Sequence, residues 1–171
     1  MAASQHDCYI VDGYNVLHAL FPGMRREELD DRRRWLADQL AGFAALRGAE
    51  VSLVFDAHSQ PRSTCERLAG TRVEICFAGG SQSADEVIAR RIADEPADAA
   101  IVVVSADYEV QRTATRAGVR RMTPRELGAE MDVSHGGPAP DETNAGTPAT
   151  LEDKIDLETW RKLERLRRPG S

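Results

Sequence analysis

Four aspartates follow apolar runs that are typical of buried strands: two end such a run, one comes shortly after a third, and one opens the helix after a fourth. In an open parallel sheet the carboxyl ends of the strands share one edge, so acids at strand ends can converge on one crevice. Two carboxylates about 4 Å apart repel by about 4 kcal/mol at an effective dielectric near 20, so such a cluster requires a proton or a cation. Hard divalent cations such as Mg²⁺ prefer oxygen ligands of this kind. The four candidates are Asp12, Asp56, Asp85 and Asp107.

Each of these aspartates also has a simpler interpretation. An Asp that follows a strand is most often a helix cap or a turn former, because its side chain accepts hydrogen bonds from orphan N–H groups. Asp85 shows the ambiguity. Ser83 and Glu86 match a capping box, which predicts that Asp85 lies in the first helical turn, where the helix dipole favours an ionised side chain. The conjunction of four acids is what favours a shared site.

The elements that must position these acids alternate between strand and helix along the chain. This alternation predicts a doubly wound α/β domain with a mainly parallel sheet and helices on both faces. A dinucleotide site is not expected, because no G-x-G-x-x-G sequence follows the first strand. Strands are predicted at 8–12, 50–56, 72–77, 99–104 and 118–122, and helices at 16–21, 27–47, 83–94, 107–117 and from 124.

The chain divides by composition into a domain, a linker and a last helix. We predict one domain over 1–133 and a flexible Gly-, Pro- and Thr-rich linker over 134–150. A basic amphipathic helix is expected over 151–171. Within the domain, the polar stretch 57–71 is interpreted as a mobile loop near the crevice, and loops there commonly carry binding residues.

Charge, hydropathy and cysteine usage limit the function classes. The net charge of −6 argues against non-specific binding to nucleic acid, although the basic residues are mostly arginines in clumps, whose planar forks suit phosphate oxygens. Most of these clumps are interpreted as solvated helix faces. No apolar run is long enough to span a membrane and no signal peptide is recognisable, so a cytoplasmic protein is expected. For Cys8, Cys65 and Cys76 we expect buried free thiols, not a disulfide or a zinc site.

Four short motifs stand out along the chain, at 10–16, 54–57, 83–86 and 104–111. In this order they resemble the signatures of NYN-domain ribonucleases. They are similar to the YacP-like group of these enzymes, within the PIN-like superfamily. The resemblance covers roughly residues 8–131, and it is specific because the four motifs occur together in the same order.

The resemblance implies a metal-dependent endoribonuclease that hydrolyses RNA phosphodiester bonds. Members of the YacP-like group are associated with bacterial ribosomes and messenger RNA decay, which implies RNA as substrate and a ribosome-bound setting. Asp12, Asp85 and Asp107 would hold one or two Mg²⁺ or Mn²⁺ ions, partly through water. Asp56 would complete the shell or orient the attacking water. Asn15 matches the signature amide of the family.

Further residues are candidates for supporting roles. Asn15 and Ser105 would orient the metal-binding carboxylates, or act only in turns and caps. His58, Arg62 and Arg67 are candidates for contacts to the substrate, the arginines to its phosphates. The alternative function is a non-catalytic RNA- or ribosome-binding module with a nuclease-like fold.

Overall fold

The computed structural model describes residues 7–107, 110, 112 and 118–135. For residues 133–135 it describes the backbone only. The predicted linker and last helix, and most of the helix predicted over 107–117, lie outside these residues. The described strands form one sheet in the order β3-β4-β2-β1-β5-β6, in which β3 is antiparallel to β4 and the other pairs are parallel. The strands are β1 (Cys8–Asp12), β2 (Glu50–Asp56), β3 (Thr64–Arg67), β4 (Val73–Ala78), β5 (Ile101–Val104) and β6 (Val119–Met122).

Helices cover both faces of this sheet, as the sequence predicts. Those described are α1 (Gly13–Leu20), α2 (Leu29–Arg47), α3 (Ala84–Asp94) and α4 (Pro124–His135), with a 3-10 turn at Arg26–Glu28. One apolar cluster packs α1, α2 and α4 against one face, and a second packs α3 against the other. The central strands are buried on both sides because parallel strands need helices on each face. Among the described helices, none has the length and hydropathy needed to cross a bilayer.

Local capping signals end and begin the helices where the sequence predicts. Gly48 takes a positive φ of 64° directly after α2 and accommodates the left-handed turn that other residues avoid. Ser83 and Glu86 exchange the hydrogen bonds of a capping box at the start of α3. Thr123 and Glu126 do the same before α4. These ends are fixed by local chemistry, which explains why the sequence alone locates them.

The predicted mobile loop over 57–71 is wrong in part, because residues 64–67 form β3. This strand is a polar edge strand with alternating exposure, so it lacks the apolar run that marks β1, β2, β4 and β5. It pairs with β4 in a hairpin that places Cys65 opposite Cys76. These two cysteines form a disulfide, so the expectation of free thiols is wrong for them. It is confirmed only for Cys8, which is free and buried.

Candidate active site

Asp12 is delivered to the edge of the sheet by the buried strand β1. We call this edge, where β1, β2, β4 and β5 end, the carboxyl edge; the opposite edge is the amino edge. Asp12 is the last residue of β1 and the N-cap of α1, and its side chain is only 7% exposed. A buried carboxylate is costly unless polar partners compensate for the lost water. The hydrogen bonds around Asp12 are therefore the core of the site.

Asn15 and Ser105 hold the Asp12 carboxylate from two sides. The backbone N–H and the side-chain amide of Asn15 each donate to it over 3.3 Å. The Ser105 hydroxyl donates to the same carboxylate over 3.4 Å, and Ser105 is fully buried. The side-chain oxygen of Asn15 accepts from the N–H of Ala106 at 2.9 Å, which ties the start of α1 to the chain after β5. Both predicted supporting residues thus contact Asp12.

Asp107 joins this network through its backbone. Its N–H donates to the Ser105 hydroxyl oxygen at 3.0 Å, so one hydroxyl links the carboxylate of Asp12 to the chain segment that carries Asp107. The side chain of Asp107 is half-buried. The segment after β5 is therefore held at the carboxyl edge beside Asp12.

Asp56 and Asp85 approach from β2 and α3. The Asp56 carboxylate accepts the N–H of Ala84 at 2.8 Å, which fixes the first turn of α3 against the end of β2. Asp85 is the next residue of that turn and is half-buried. Both acids come close enough for their negative charges to act on Asp12. The structure thus brings Asp12, Asp56 and Asp85 to one edge.

Burial raises the pKa of Asp12 from 3.8 to about 6. The hydrogen bond from the N–H of Asn15 lowers the pKa, and the charge of Asp85 raises it. Two smaller effects follow: the Ser105 hydroxyl lowers the pKa and the Asp56 charge raises it. Two of the causes that raise the pKa are neighbouring carboxylates, so a nearby positive charge would favour the ionised form of Asp12. The electrostatics of the edge are therefore those of a cluster of carboxylates.

The described residues contain no ready-made metal cage. No group of three or more His, Cys, Asp or Glu side chains among them meets the geometry of a metal site. Mg²⁺ commonly keeps several waters and is bound through one or two carboxylates, so this arrangement fits a hydrated ion better than a fully protein-ligated one. The metal roles of Asp12, Asp85 and Asp107 stay predictions.

Close packing beneath the site requires a glycine and buries an arginine. A Cβ on Gly13 would lie 2.3 Å from the ring of Phe55, so α1 can approach β2 only because this residue has no side chain. The Tyr14 ring packs edge-on against Phe55 with centroids 5.0 Å apart. Arg33, 3% exposed, donates to the Tyr14 hydroxyl from Nε at 3.2 Å and from Nη2 at 2.6 Å, and pairs with Asp30.

Arg33 is the supporting residue that sequence reasoning missed. It belongs to the run 32–34, which we interpreted with the other clumps as mostly a solvated face. The available signal was its spacing, because it lies three residues before Leu36 and seven before Leu40, on the buried stripe of α2. Its position in that stripe predicts burial, whereas its residue type alone does not.

The turn 57–63 carries two of the predicted substrate contacts. The N–H of Gly80 donates to the Gln60 carbonyl at 2.6 Å, and the N–H of Gly79 donates to the Ser63 hydroxyl oxygen at 3.1 Å. A Cβ on Gly79 would lie 2.5 Å from the Arg62 carbonyl oxygen, so only glycine admits this approach. The turn begins directly after Asp56, and His58 and Arg62 are both exposed on it. This placement keeps both candidates near the carboxyl edge.

Arg67 does not lie with the acids. It pairs with Glu50, with Nη1 and Oε2 2.8 Å apart, and Glu50 is the first residue of β2. Asp56 ends the same strand, so about 20 Å of extended backbone separates the two ends. The structure therefore separates Arg67 from the other candidates and places it at the amino edge.

Comparisons with known proteins agree on one family. The family model described as the YacP-like NYN domain matches residues 9–168, which extends through the predicted linker and last helix. The chain is 29% identical to the protein named "Uncharacterized protein YacP" from Bacillus subtilis (strain 168) over 131 residues, 74% of this chain and 76% of that one. A crystal structure of Rae1 (YacP) from Bacillus subtilis matches with a TM-score of 0.63 and 28% identity over 76% of each chain. A single-substitution mutant of the same protein matches with a TM-score of 0.62 and 28% identity, covering 76% of this chain and 77% of that one.

Proposed function

The chain belongs to the YacP-like NYN domain family, whose fold is that of PIN-like nucleases, and we propose that it is a metal-dependent endoribonuclease. Its substrate is messenger RNA in a ribosome-associated, cytoplasmic setting, and its reaction is hydrolysis of phosphodiester bonds. The observation that carries the proposal is the buried Asp12, held by Asn15 and Ser105 at an edge where Asp56 and Asp85 add negative charge.

The donor set at the carboxyl edge fits Mg²⁺ or Mn²⁺. It consists of hard carboxylate oxygens, and the mutual repulsion of these acids is relieved by a cation. Asp12, Asp85 and Asp107 would hold the ion, with water filling the remaining positions. A bound divalent ion supplies Lewis-acid stabilisation of a phosphate and an acidified water molecule.

The side chains of the site divide the remaining work. Asn15 and Ser105 fix the orientation of the Asp12 carboxylate, so that the site is organised before RNA arrives. Asp56 is anchored on one oxygen by the N–H of Ala84, and we assign it the orientation of the attacking water. His58 and Arg62 contact the phosphates of the RNA from the turn 57–63.

Messenger RNA and the ribosome are the finer part of this proposal. They rest on the sequence resemblance to the YacP-like group, and not on a contact in the fold. Single-stranded RNA suits the site, because the exposed turn offers His58 and Arg62 to a backbone that is free to bend. Arg67 is left out of this assignment because it pairs with Glu50 at the amino edge.

A non-catalytic RNA- or ribosome-binding module is the second candidate. Two observations favour it. Asp12 caps α1 and Asp56 accepts the first N–H of α3, so both acids have structural roles that need no metal. The described residues also lack a group of three side chains with the geometry of a metal site. A fold kept for binding alone could retain these acids as caps.

Metal binding to the full chain separates the two candidates. The melting temperature is measured after chelation and again with excess Mn²⁺, for the wild type, Asp12→Asn, Asp85→Asn and Asp94→Asn. Asp94 is a matched control, because it is an exposed acid about 13 Å further along the same helix as Asp85. An ion at about 100 times its Kd adds about 2.7 kcal/mol to the free energy of unfolding.

The nuclease proposal expects Mn²⁺ to stabilise the wild type and Asp94→Asn, and to lose this effect in the other two variants. End-labelled messenger RNA is then incubated with the protein, both free and on translating ribosomes. Binding without cleavage in either setting, together with no stabilisation by Mn²⁺, would establish the binding module instead. Testing both settings prevents a ribosome-dependent enzyme from scoring as inactive.

A further inference from the structure

The disulfide between Cys65 and Cys76 lies in the hairpin that leads out of the turn 57–63. Cys65 is in the edge strand β3 and Cys76 in β4, at directly opposed positions of the antiparallel pair. The cysteines lie only 11 positions apart in sequence, and the connection turns at Gly70, which has a positive φ of 71°. The fold therefore brings the two sulfurs together through local chain reversal.

The two cysteine residues differ in exposure. Cys76 is 1% exposed and is covered by α3, whereas Cys65 is exposed because no strand lies beyond β3 in the described sheet. Because Cys76 is buried and Cys65 is exposed, a thiol from solution can reach the bond more easily from the side of Cys65. Attack on Cys65 makes Cys76 the leaving group.

Arg91 is positioned to stabilise that leaving group. Its Nη2 donates to Sγ of Cys76 at 3.0 Å, while its Nη1 binds Glu74 at 2.5 Å and Ser52 at 3.2 Å. The two other partners hold the guanidinium in place, so one of its N–H groups remains aimed at the sulfur. A cation beside a departing thiolate accelerates thiol–disulfide exchange.

We propose that Cys65 and Cys76 form a thiol–disulfide exchange site for a low-molecular-weight thiol and its disulfide, and that the state of this pair controls how firmly the turn 57–63 is held. The juxtaposition that carries this proposal is an exposed cysteine and a buried cysteine in the hairpin next to the turn, with the guanidinium of Arg91 from α3 on the buried sulfur. Cys65, Cys76 and Arg91 have no role of their own in the proposed hydrolysis, although the turn that they would hold carries His58 and Arg62.

The exchange is balanced in two steps. A thiolate of the small thiol attacks Sγ of Cys65, the bond between the cysteines breaks, and Cys76 leaves as a thiolate beside Arg91. A second thiolate attacks the small-molecule sulfur of the mixed disulfide, releasing the small-molecule disulfide and the Cys65 thiolate, and both cysteine thiolates can then take protons from water. Two electrons pass to the cysteine pair, and the reverse sequence, driven by the small-molecule disulfide, reforms the bond.

The bond state reaches the turn through the backbone of β3. Ser63, the last residue of the turn, precedes the first residue of the strand. Its hydroxyl binds the N–H of Gly79, and the Gln60 carbonyl binds the N–H of Gly80. The disulfide fastens β3 to β4 two residues beyond Ser63, so reduction leaves a four-residue edge strand to hold one end of the turn. The N–H groups of Gly79 and Gly80 therefore report on the coupling.

The test uses the full chain in buffers that contain glutathione and glutathione disulfide at varied ratios. Alkylation followed by mass spectrometry measures the fraction of molecules with the Cys65–Cys76 bond, and Cys8→Ser provides a control in which only this pair can react. We expect the fraction to change fully and reversibly over the range of ratios. A pair that is reduced at every ratio, or oxidised at every ratio, would overturn the exchange site.

Arg91 variants test the leaving-group role. Arg91→Gln is expected to slow reduction by glutathione several-fold, because Cys76 then leaves as a less stabilised thiolate, and Arg91→Lys to slow it less. Arg90→Gln is the matched control, because Arg90 is the exposed neighbour on the same helix, and we expect its rate to equal that of the wild type. Equal rates for Arg91→Gln and Arg90→Gln would overturn this part of the proposal.

Hydrogen exchange tests the control of the turn. The amides of Gly79 and Gly80 are followed in the oxidised wild type, in the reduced wild type and in Cys65→Ser. Exchange on the order of tenfold faster is expected in the last two, because local opening becomes easier when the hairpin loses its cross-link. The reduced wild type needs no substitution, so a folding defect in Cys65→Ser cannot decide the result. Unchanged protection after reduction would overturn the coupling.

Discussion

Glu50 and Asp56 lie at opposite ends of the same strand, β2, in opposite electrostatic surroundings. At the amino edge Glu50 pairs with Arg67 at 2.8 Å and with Arg72 at 3.4 Å. At the carboxyl edge Asp56 binds the N–H of Ala84 and lies near Asp12 and Asp85. Within the described part of the chain, neither Asp12 nor Asp56 forms an ion pair with arginine or lysine.

The difference lies in how the two edges compensate the charges of their acids. At the amino edge, Arg67 and Arg72 balance the negative charge of Glu50. At the carboxyl edge Asp12 and Asp56 are held by N–H and hydroxyl groups, which orient a carboxylate without cancelling its charge. The repulsion among neighbouring carboxylates lowers the stability of the fold, and a bound divalent cation would restore that stability.

Neutralising one acid at each edge should give the largest contrast, in RNA cleavage. Asp85→Asn is expected to lower the single-turnover rate by about 10³-fold, which corresponds to about 4 kcal/mol of transition-state stabilisation. Glu50→Gln should stay within about twofold of the wild type, because its partners are arginines distant from the site. The assay uses end-labelled messenger RNA on ribosomes with Mn²⁺. Equal losses in the two variants would remove the distinction between the edges.

The second largest contrast is expected between glycine substitutions at the two edges, in the free energy of unfolding. Gly13→Ala places a Cβ 2.3 Å from the buried Phe55 ring and is expected to lower the free energy of unfolding by about 3 kcal/mol. Gly48→Ala meets nothing within 4 Å and costs only the strain of a positive φ, about 1 kcal/mol. Urea denaturation measures both values. A cost for Gly13→Ala no larger than that for Gly48→Ala would show that α1 can shift away from β2.

The pH dependence of stability should reveal the raised pKa of Asp12. Burial, with the charges of Asp85 and Asp56, raises the pKa of Asp12 to about 6 from 3.8, so between these values the folded state holds its proton more tightly than the unfolded state. The free energy of unfolding contributed by this group therefore falls as pH rises. Relative to Asp12→Asn, the chelated wild type should lose about 2 to 3 kcal/mol between about pH 4 and about pH 7.

Glu126 provides a control of opposite sign for that experiment. The backbone N–H of Thr123 lowers the pKa of Glu126, so its contribution to stability is present above its ordinary pKa and is lost on acidification. Glu126→Gln should therefore be less stable than the wild type near neutral pH, with a difference that shrinks in acid. If both comparisons drifted in the same direction, a general charge effect would explain them, and the shift at Asp12 would not be needed.

The sequence predicts the carboxyl edge better than the amino edge, for a physical reason. Asp12 and Asp56 end apolar runs, and Ser83 caps α3 through residues three positions away, so short-range patterns locate all of them. The hairpin of β3 depends instead on a polar edge strand that finds β4. Its only marker is the position of Cys65 and Cys76, which are equally spaced about the turn at Gly70 and Thr71.

Contacts between residues that are distant in sequence cannot be predicted from such short-range patterns. The sequence indicates that Asp12, Asp56 and Asp107 reach one edge, but not that Ser105 links Asp12 to the backbone of Asp107. It likewise gives Arg62 and Arg67 equal standing, because both fall in one polar stretch. Chain reversal at β3 sends them to opposite edges, and only tertiary pairing decides this.

Arg62 and Arg67 therefore provide the last and smallest test of the two edges. Arg67→Ala removes a pair whose side chains are 54% and 41% exposed, so the expected cost is below about 1 kcal/mol in stability and nothing in RNA affinity. Arg62→Ala should weaken binding of a labelled single-stranded RNA and reduce the slope of log affinity against log salt by about one phosphate contact. Fluorescence anisotropy over a range of salt concentrations measures both. Equal weakening in the two variants would require RNA to pass both ends of β3, and the amino edge could then no longer be regarded as a purely structural surface.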